Sequence, residues 1–373
     1  MKKSLITLAI LSVSAGAVQA HGSVNIYGVV DTGLTFSNNI EKNDGTGNGG
    51  KFSMNSGVIQ GSRIGFKGTE DLGGGLNAVF QLESGFSSDT GGQSRTNNGF
   101  NRKSVVGLSG NFGTFLMGNQ TDMLEDAGDL TSNQDFGSIV GLSAHNFNRL
   151  GGIQVRNSIR YNTPNLNGFT GSVIYGFGEQ AGKANAGQSF GLGGIYKNGP
   201  LGLYLGYFQA KLGRTPSDAL VGTIVDLLPK NLKPTAKDDG LTATKTVSLG
   251  GSYQAGPARL YGNWSRFNVP TLIRQDVYEI GSDFALSAPL HLLASVQHVR
   301  YTTDVEITSK KPKTTQLNLG VDYWLSKRTD VYGFMSYAKG SNGSPVGVWD
   351  YASQESDDSS KQASMSIGIR HKF

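Results

Sequence analysis

The feature that most constrains this chain is an alternation of apolar and polar residues within segments of about ten residues. In the first such segment, Val30, Leu34 and Phe36 fall on one face of an extended strand. Asp31 and Thr35 fall on the other face, because successive side chains of a strand point in opposite directions. A strand with this pattern has one face suited to an apolar medium and one suited to water.

The same alternation recurs towards the C-terminal end. Leu317, Leu319 and Val321 alternate with polar residues or glycine, and the segment that ends at Phe373 repeats the pattern. A soluble β-sandwich also alternates, with its apolar face turned inward, so the alternation alone leaves both architectures open. Aromatic residues at the segment ends, the leader sequence and the unequal connections favour a membrane barrel.

The connections between segments are short and long in turn. The short ones are rich in residues that form turns, and they lie at 70–75, 110–113, 164–168, 198–200, 255–257, 288–289 and 326–328. The longer polar stretches lie at 37–60, 87–99, 120–154, 178–188, 211–243, 268–274, 302–313 and 339–361. Seven short turns and eight long loops require sixteen strands, with both termini on the side of the short turns.

A sheet of this kind has to close on itself in a membrane. An open edge in hydrocarbon would leave unpaired backbone groups, each costing several kcal/mol. At about sixteen strands the lumen is too wide for side chains to fill, which leaves an aqueous channel. The predicted fold class is therefore all-β, a transmembrane 16-stranded antiparallel β-barrel with short periplasmic turns and long extracellular loops.

The beginning of the chain has the character of a secretory signal peptide. Lys2 and Lys3 precede an apolar run at 5–13, and small residues lead up to Ala20, which predicts cleavage after Ala20. A short membrane anchor is the alternative, but the run is roughly half the length that a spanning helix needs. Residues 1–20 are thus predicted to be removed, and residues 21–373 to form a single barrel domain.

Composition argues against several other classes. The chain has no cysteine, so its fold relies on neither disulfides nor thiolate metal sites. A net charge of +5, part of it from the leader, is too modest for the concentrated basic patch of a nucleic-acid-binding protein. The histidines show no metal-ligand spacing, and the glycine-rich run at 45–50 lacks the strand and helix of a dinucleotide site. We expect no metal, cofactor or nucleic acid.

Several runs of residues resemble those of a known family, the general trimeric porins of Gram-negative bacteria of the neisserial and burkholderial type. These runs are 24–31, 63–76, 80–86, 100–103, 106–110, 112–114, 157–161 and the terminal Phe373. The likeness covers essentially the whole chain after the leader, and Gly-Thr-Glu-Asp-Leu-Gly-Gly-Gly at 68–75 is its most specific part. The resemblance implies a homotrimer, a third extracellular loop folded into the pore, and a terminal phenylalanine read by the outer-membrane assembly machinery.

The expected function is passive diffusion of small hydrophilic solutes and ions through a water-filled channel in the Gram-negative outer membrane. Outer-membrane lipid and lipopolysaccharide are further expected partners. The alternative is a non-conducting or substrate-specific barrel that acts as an adhesin or receptor through loops 211–243 and 339–361, and ion flux separates the two. A barrel enzyme needs a nucleophile, a base and an orienting group together, and these residues supply no such set.

The third long loop, residues 120–154, is the candidate constriction. Its only basic residue is Arg149, and its acids are Asp122, Glu125, Asp126, Asp129 and Asp135. A run of acids is usually a solvated face, so a role in the pore requires an opposing basic wall. Charges that face each other across the narrowest point would set the ion preference of the channel.

Strand parity predicts that basic wall. Arg63 and Lys67 share one strand face, Arg156 and Arg160 share another, and apolar residues occupy the opposite side of both strands. All four are therefore expected to face the lumen. With this wall, and from the behaviour of the family, we expect a mild preference for anions.

Two further basic residues, Arg102 and Lys103, follow one another in the chain. Parity groups Arg102 with lipid-facing residues unless a bulge or the strand end lets it turn, whereas Lys103 falls on the lumenal side. Relatives often have two arginines at this pair of positions. Lysine keeps the charge but lacks the planar fork of arginine, so we expect weaker binding of carboxylates or phosphates here.

Overall fold

The computed structural model describes residues 23–42, 46–94, 99–127, 130, 154–184, 186–211, 243–269, 273–303, 312–342, 346–347 and 361–373. Within them the chain is almost entirely extended, with seventeen strand segments and one 3₁₀ turn. No helix in this part of the chain has the length and apolar character needed to cross a membrane. The predicted signal peptide lies outside these residues.

Most strand segments that follow one another in the chain pair as antiparallel neighbours. The segments are β1 (Ser23–Glu41), β2 (Asn48–Ser56), β3 (Arg63–Gly73), β4 (Leu76–Gly85), β5 (Lys103–Gly110), β6 (Gly113–Thr121), β7 (Gln154–Asn162), β8 (Phe169–Gly176), β9 (Ser189–Asn198), β10 (Leu201–Lys211), β11 (Ala243–Ala255), β12 (Ala258–Val269), β13 (Ile273–Ala285), β14 (Leu290–Thr303), β15 (Lys313–Trp324), β16 (Thr329–Ser341) and β17 (Lys361–Lys372). The 3₁₀ turn, η1, covers Glu125–Ala127 in the third loop.

The sheet closes through β1 and β17, whose register pairs Val29 with Lys372 at one end and Ser37 with Ser364 at the other. On its other edge β1 pairs with both β2 and β3, along different parts of its length. These two segments are therefore successive parts of one barrel strand. The described segments form a closed barrel of sixteen antiparallel strands, which confirms the predicted fold class.

The two faces of the barrel have opposite polarity. On β15, Leu317 and Leu319 point outward and are 43% and 42% exposed, whereas Gln316 and Asn318 between and beside them are buried inside. The other strands follow the same rule, with large apolar side chains exposed on the outer surface. An apolar outside and a polar inside are what a barrel in lipid requires. The alternation predicted from the sequence is confirmed.

All seven predicted short turns join consecutive strands at the same end of the barrel, where β1 begins and β17 ends. The first of them is built on glycine because Gly74 has a φ of 62°, in the left-handed region that side chains disfavour. The strand ends that the longer connections join lie at the opposite end. The third of these connections follows β6, the fifth barrel strand, as expected.

The first long loop differs from its prediction. The sequence predicts a loop over 37–60, but β1 continues to Glu41 and β2 occupies Asn48–Ser56, so the external connection is only 42–47. Phe52 and Met54 point outward from β2, 72% and 57% exposed, while polar residues alternate with them. Two apolar positions are too few for the stretch to be recognised as a strand. Residues 57–62, which we call the inner ledge, then separate β2 from β3.

Candidate functional site

The third loop turns into the barrel as soon as β6 ends. Met123 and Leu124 are fully buried, in a cluster with Tyr204 and Phe208 on the inner face of β10. The wall leaves room for them, since a Cβ atom on Gly191 would lie only 2.7 Å from the Met123 sulfur. Apolar packing into a glycine-lined surface therefore holds the described part of the loop inside the lumen.

Asp122 shapes this loop rather than facing water. It is fully buried, and its Oδ1 accepts the Leu124 N–H at 2.9 Å. Its carbonyl oxygen accepts the Glu125 N–H at 3.4 Å. A carboxylate that accepts a hydrogen bond from the backbone N–H two residues later stabilises a turn. Asp122 therefore has a structural role in the loop and does not line the pore as predicted. Asp129 and Asp135 lie outside the described residues.

Asp126 forms an ion pair with Arg160 of β7, in which Nη2 of the arginine donates to Oδ2 of the acid. The other nitrogens of Arg160 are also engaged: Nη1 donates to the Thr121 carbonyl at 3.1 Å, and Nε donates to Asn162 Oδ1 at 2.8 Å. Arg160 thus ties the loop to the wall, and the two opposite charges largely cancel. Direct contact replaces the opposition across water that we expected for this pair.

A second group of charges lies on the adjoining strands. Glu83 of β4 accepts a hydrogen bond from Arg102 Nε at 2.6 Å, and its other oxygen lies 3.7 Å from Arg63 Nε. The Tyr27 hydroxyl also donates to Glu83, at 2.8 Å. Glu125 of the third loop lies within electrostatic range of Arg63. Because two guanidinium groups share one carboxylate, the group formed by Arg63, Glu83 and Arg102 keeps a net positive charge; we call it the arginine group.

Three residues of the predicted basic wall lie on the lumenal side in or near this group. Arg102 precedes the first residue of β5 and turns inward to Glu83. The alternation of faces does not govern a residue outside the strand, so Arg102 can face the lumen although parity groups it with lipid-facing residues. Lys103 is directly opposite Glu83 in the register of β4 and β5 and shares its lumenal face. Lys67 also faces inward, with its Nζ 5.3 Å from the centre of the Tyr27 ring.

Arg156 does not share the inner face with Arg160. The register between β6 and β7 slips by one residue, and Asn157 has a φ of 50°, which marks a β-bulge. Val155 instead lies on the inner face, packed in the apolar cluster beneath the third loop. The bulge reverses the parity from which Arg156 was predicted to face the lumen, so that prediction is wrong.

Glu83 and Tyr27 are the members of the site that parity and charge counting do not single out. Each is a polar residue at an alternate position of a strand, which is the only signal that the sequence offers. Their importance comes from contacts among β1, β3, β4 and the residue before β5, which no single strand displays. Among the described residues, no group of three or more acidic or histidine side chains is arranged to hold a metal ion.

A closed barrel with an apolar exterior, a polar lumen and charges gathered beside an infolded loop defines a channel-forming outer-membrane protein. The chain belongs to the Gram-negative porin family, whose model matches residues 7–343. The predicted family resemblance is therefore confirmed. The protein is an outer-membrane porin, a water-filled channel for passive diffusion rather than an enzyme.

Individual relatives agree with this assignment. The chain is 33% identical over 385 residues to outer membrane porin protein 32 of Delftia acidovorans, and 30% identical over 417 residues to an outer membrane porin protein of Bordetella pertussis. Both alignments span 100% of each chain. Among solved structures, the anion-selective porin from Comamonas acidovorans is similar, with a TM-score of 0.74 and 26% identity over 94% of this chain and 100% of that one.

Proposed function

We propose that this porin prefers anions, and that the arginine group sets the preference. The observation that carries the proposal is that Arg63 and Arg102 share the single carboxylate of Glu83 in the lumen. Of the acids of the third loop, Asp126 is balanced by Arg160, and Glu125 near Arg63 is outweighed by Lys67 and Lys103 on the same wall. An excess of positive charge at a narrow point attracts anions and repels cations. Similarity to the anion-selective porin from Comamonas acidovorans supports the same sign.

Neutralising both arginines tests this proposal. Arg63→Gln combined with Arg102→Gln removes two positive charges and leaves Lys67 and Lys103 to balance Glu83 and Glu125, so the channel is expected to lose its anion preference. One unit charge about 4 Å from an ion contributes about 1 kcal/mol in water, so the permeability ratio should change by roughly fivefold or more at low salt. Salt screens the effect. The reversal potential across a planar bilayer under a salt gradient measures it.

Two single substitutions serve as controls for the double variant. Glu83→Gln keeps both cations and removes the acid, so it is expected to strengthen the anion preference. Arg156→Gln removes an arginine that lies off the inner face, and it should leave the reversal potential unchanged. A double variant that conducts with the wild-type reversal potential would show that the arginine group does not set selectivity.

We further propose a homotrimer in contact with outer-membrane lipid and lipopolysaccharide, with Phe373 as the residue that the assembly machinery recognises. The resemblance to trimeric porins supports the trimer, and OmpT of Vibrio cholerae, which shares this fold, has a trimer form. Phe373 also completes the barrel seam, because its N–H and carbonyl pair with those of Gly28 at 3.1 and 3.0 Å. Its ring covers Gly28, where a Cβ atom would lie 2.3 Å from the ring.

Phe373→Ala is accordingly expected to lower the yield of folded, heat-modifiable barrel several-fold, because both the terminal signal and the cover of the seam are lost. The measurement is the ratio of folded to unfolded bands in outer-membrane fractions on unheated gels. Ile369→Ala is the matched control, since Ile369 also lies exposed on the outer face of the last strand. Equal yields for the two variants would remove Phe373 from this role.

A further inference from the structure

The register of the barrel shows that the inner ledge is an insertion. One cross-strand pair joins Thr32 to Ser56, and the next joins Val29 to Arg63. Two residues separate these pairs on β1, whereas six, residues 57–62, separate them on the partner strand. The partner strand therefore holds four residues more than a continuous strand would need.

A buried carboxylate holds the ledge in place. Asp31 of β1 is fully buried, and its Oδ2 accepts the N–H groups of Ile59 at 2.8 Å and Gln60 at 2.6 Å. Its Oδ1 accepts the hydroxyl of Tyr332, from β16, at 2.5 Å. Three donors satisfy this carboxylate, so the ledge has a fixed position.

Apolar contacts show that the ledge lies inside the barrel. Val58 and Ile59 are fully buried in a cluster with Tyr332 and Phe334. Met335, the next residue of β16, is exposed on the outer face, so its neighbour Phe334 points inward. The ledge therefore packs against the lumenal side of the wall formed by β1, β17 and β16.

The ledge interrupts the cross-strand pairing of Asp31, and other groups supply the hydrogen bonds that its backbone would otherwise lack. The Asp31 N–H donates to Ser62 Oγ at 3.1 Å, and the Asp31 carbonyl accepts from the Gly57 N–H at 2.8 Å and from Ser88 Oγ at 2.9 Å. Backbone groups at membrane depth need partners inside the protein. Because these residues supply them, the interruption is compatible with a membrane wall.

The far end of the ledge meets the arginine group. The carbonyl of Gly61 accepts from Arg63 Nη1 at 3.3 Å, and a Cβ atom on Gly61 would lie 3.4 Å from Arg102 Nη1. Gly61 itself is exposed. We propose that the inner ledge is a second constricting element of the channel, which narrows the lumen beside the third loop and positions Arg63 there. This inference rests on the proposed role of the arginine group.

A bulky residue at the tip of the ledge tests the inference without disturbing the barrel. Gly61 lies outside the left-handed φ region, and a Cβ atom there would meet only the end of a flexible arginine. Gly61→Trp is expected to lower single-channel conductance by about half, because the indole would project into the narrow part of the lumen. Gly92→Trp is the matched control, because Gly92 is exposed in the second loop. The conductance of the Gly92→Trp channel should equal that of the wild type.

Removal of the ledge is the converse experiment. Deletion of residues 58–61 brings Gly57 opposite Asp31 and Ser62 opposite Val30, which restores a continuous strand in the existing register. The conductance of the deletion variant is expected to rise by roughly 1.5-fold. Its anion preference should weaken, because Arg63 loses the Gly61 carbonyl and the Asp31 carboxylate becomes uncovered.

The outcomes separate this inference from the function on which it rests. Reduced conductance in folded Gly61→Trp channels, with Gly92→Trp unchanged, supports the ledge as a constriction. Wild-type conductance in folded Gly61→Trp channels overturns it, even when the Arg63 and Arg102 double variant shifts the reversal potential. A double variant without any shift contradicts the role of the arginine group instead, and with it the positioning part of the inference.

Discussion

Arginine in place of Ile280 is expected to lower the free energy of unfolding in lipid by about 2–4 kcal/mol, the cost of a charged side chain on the lipid face at the bilayer midplane. Ile280 lies at the middle of β13 and is 69% exposed on the outer face, the most exposed large apolar side chain of that strand. The measurement is urea-induced unfolding of the barrel in lipid vesicles, followed by tryptophan fluorescence.

Phe284→Arg is the control for depth. Phe284 lies on the same face of β13, four residues nearer to the short turn, where the bilayer interface is expected and the cost of arginine falls to about 0–1 kcal/mol. The difference between the two variants then isolates the effect of the hydrocarbon. Equal losses of stability at both positions would contradict the placement of the outer face in lipid.

Met123→Ala combined with Leu124→Ala is expected to release the third loop from the wall. Truncating a fully buried Met or Leu costs about 2–5 kcal/mol, and both side chains pack against the inner face. The loop would lose this contact while the hydrogen-bonded strands remain. Single-channel recordings should show a larger and noisier current, and the midpoint of barrel unfolding should change little.

Leu203→Ala is the matched control for the loop variant. Leu203 is an exposed leucine on the outer face of β10. The inner face of the same strand carries Tyr204, which packs against Met123 and Leu124 in the apolar cluster beneath the third loop. It should leave both the size and the noise of the current unchanged. If the loop variant gives the quiet wild-type current, apolar docking of the third loop does not limit conduction.

The barrel itself can be predicted from the sequence, because every residue of a spanning strand faces either lipid or water and its polarity follows from that. In β15 the apolar positions alternate without interruption, which indicates a strand with one apolar and one polar face, and the leader sequence and unequal connections favour lipid on the apolar side. The short turns are predicted equally well, since glycines such as those at 73–75 readily adopt the positive φ that a tight reversal needs. These signals are local, so a single sequence contains them.

The arrangement of the site depends on pairing between strands, which local patterns do not contain. Asn157 bulges β7 and thereby reverses the parity of Arg156, although the sequence around it alternates normally. Whether residues 57–62 form a loop or an insertion depends on how many residues β1 places opposite them. The shared carboxylate of Glu83 likewise needs side chains from separate segments.

The most direct test of the account is the reversal potential of single channels of the purified protein in a planar bilayer under a potassium chloride gradient. Cations and anions of this salt move at similar rates in water, so the sign of the potential reports the charge of the narrow region. We expect current steps in groups of three and a dilute side that becomes negative, as an anion-preferring trimer requires. A dilute side that becomes positive would contradict control by the arginine group, and folded protein without any current steps would contradict an open channel.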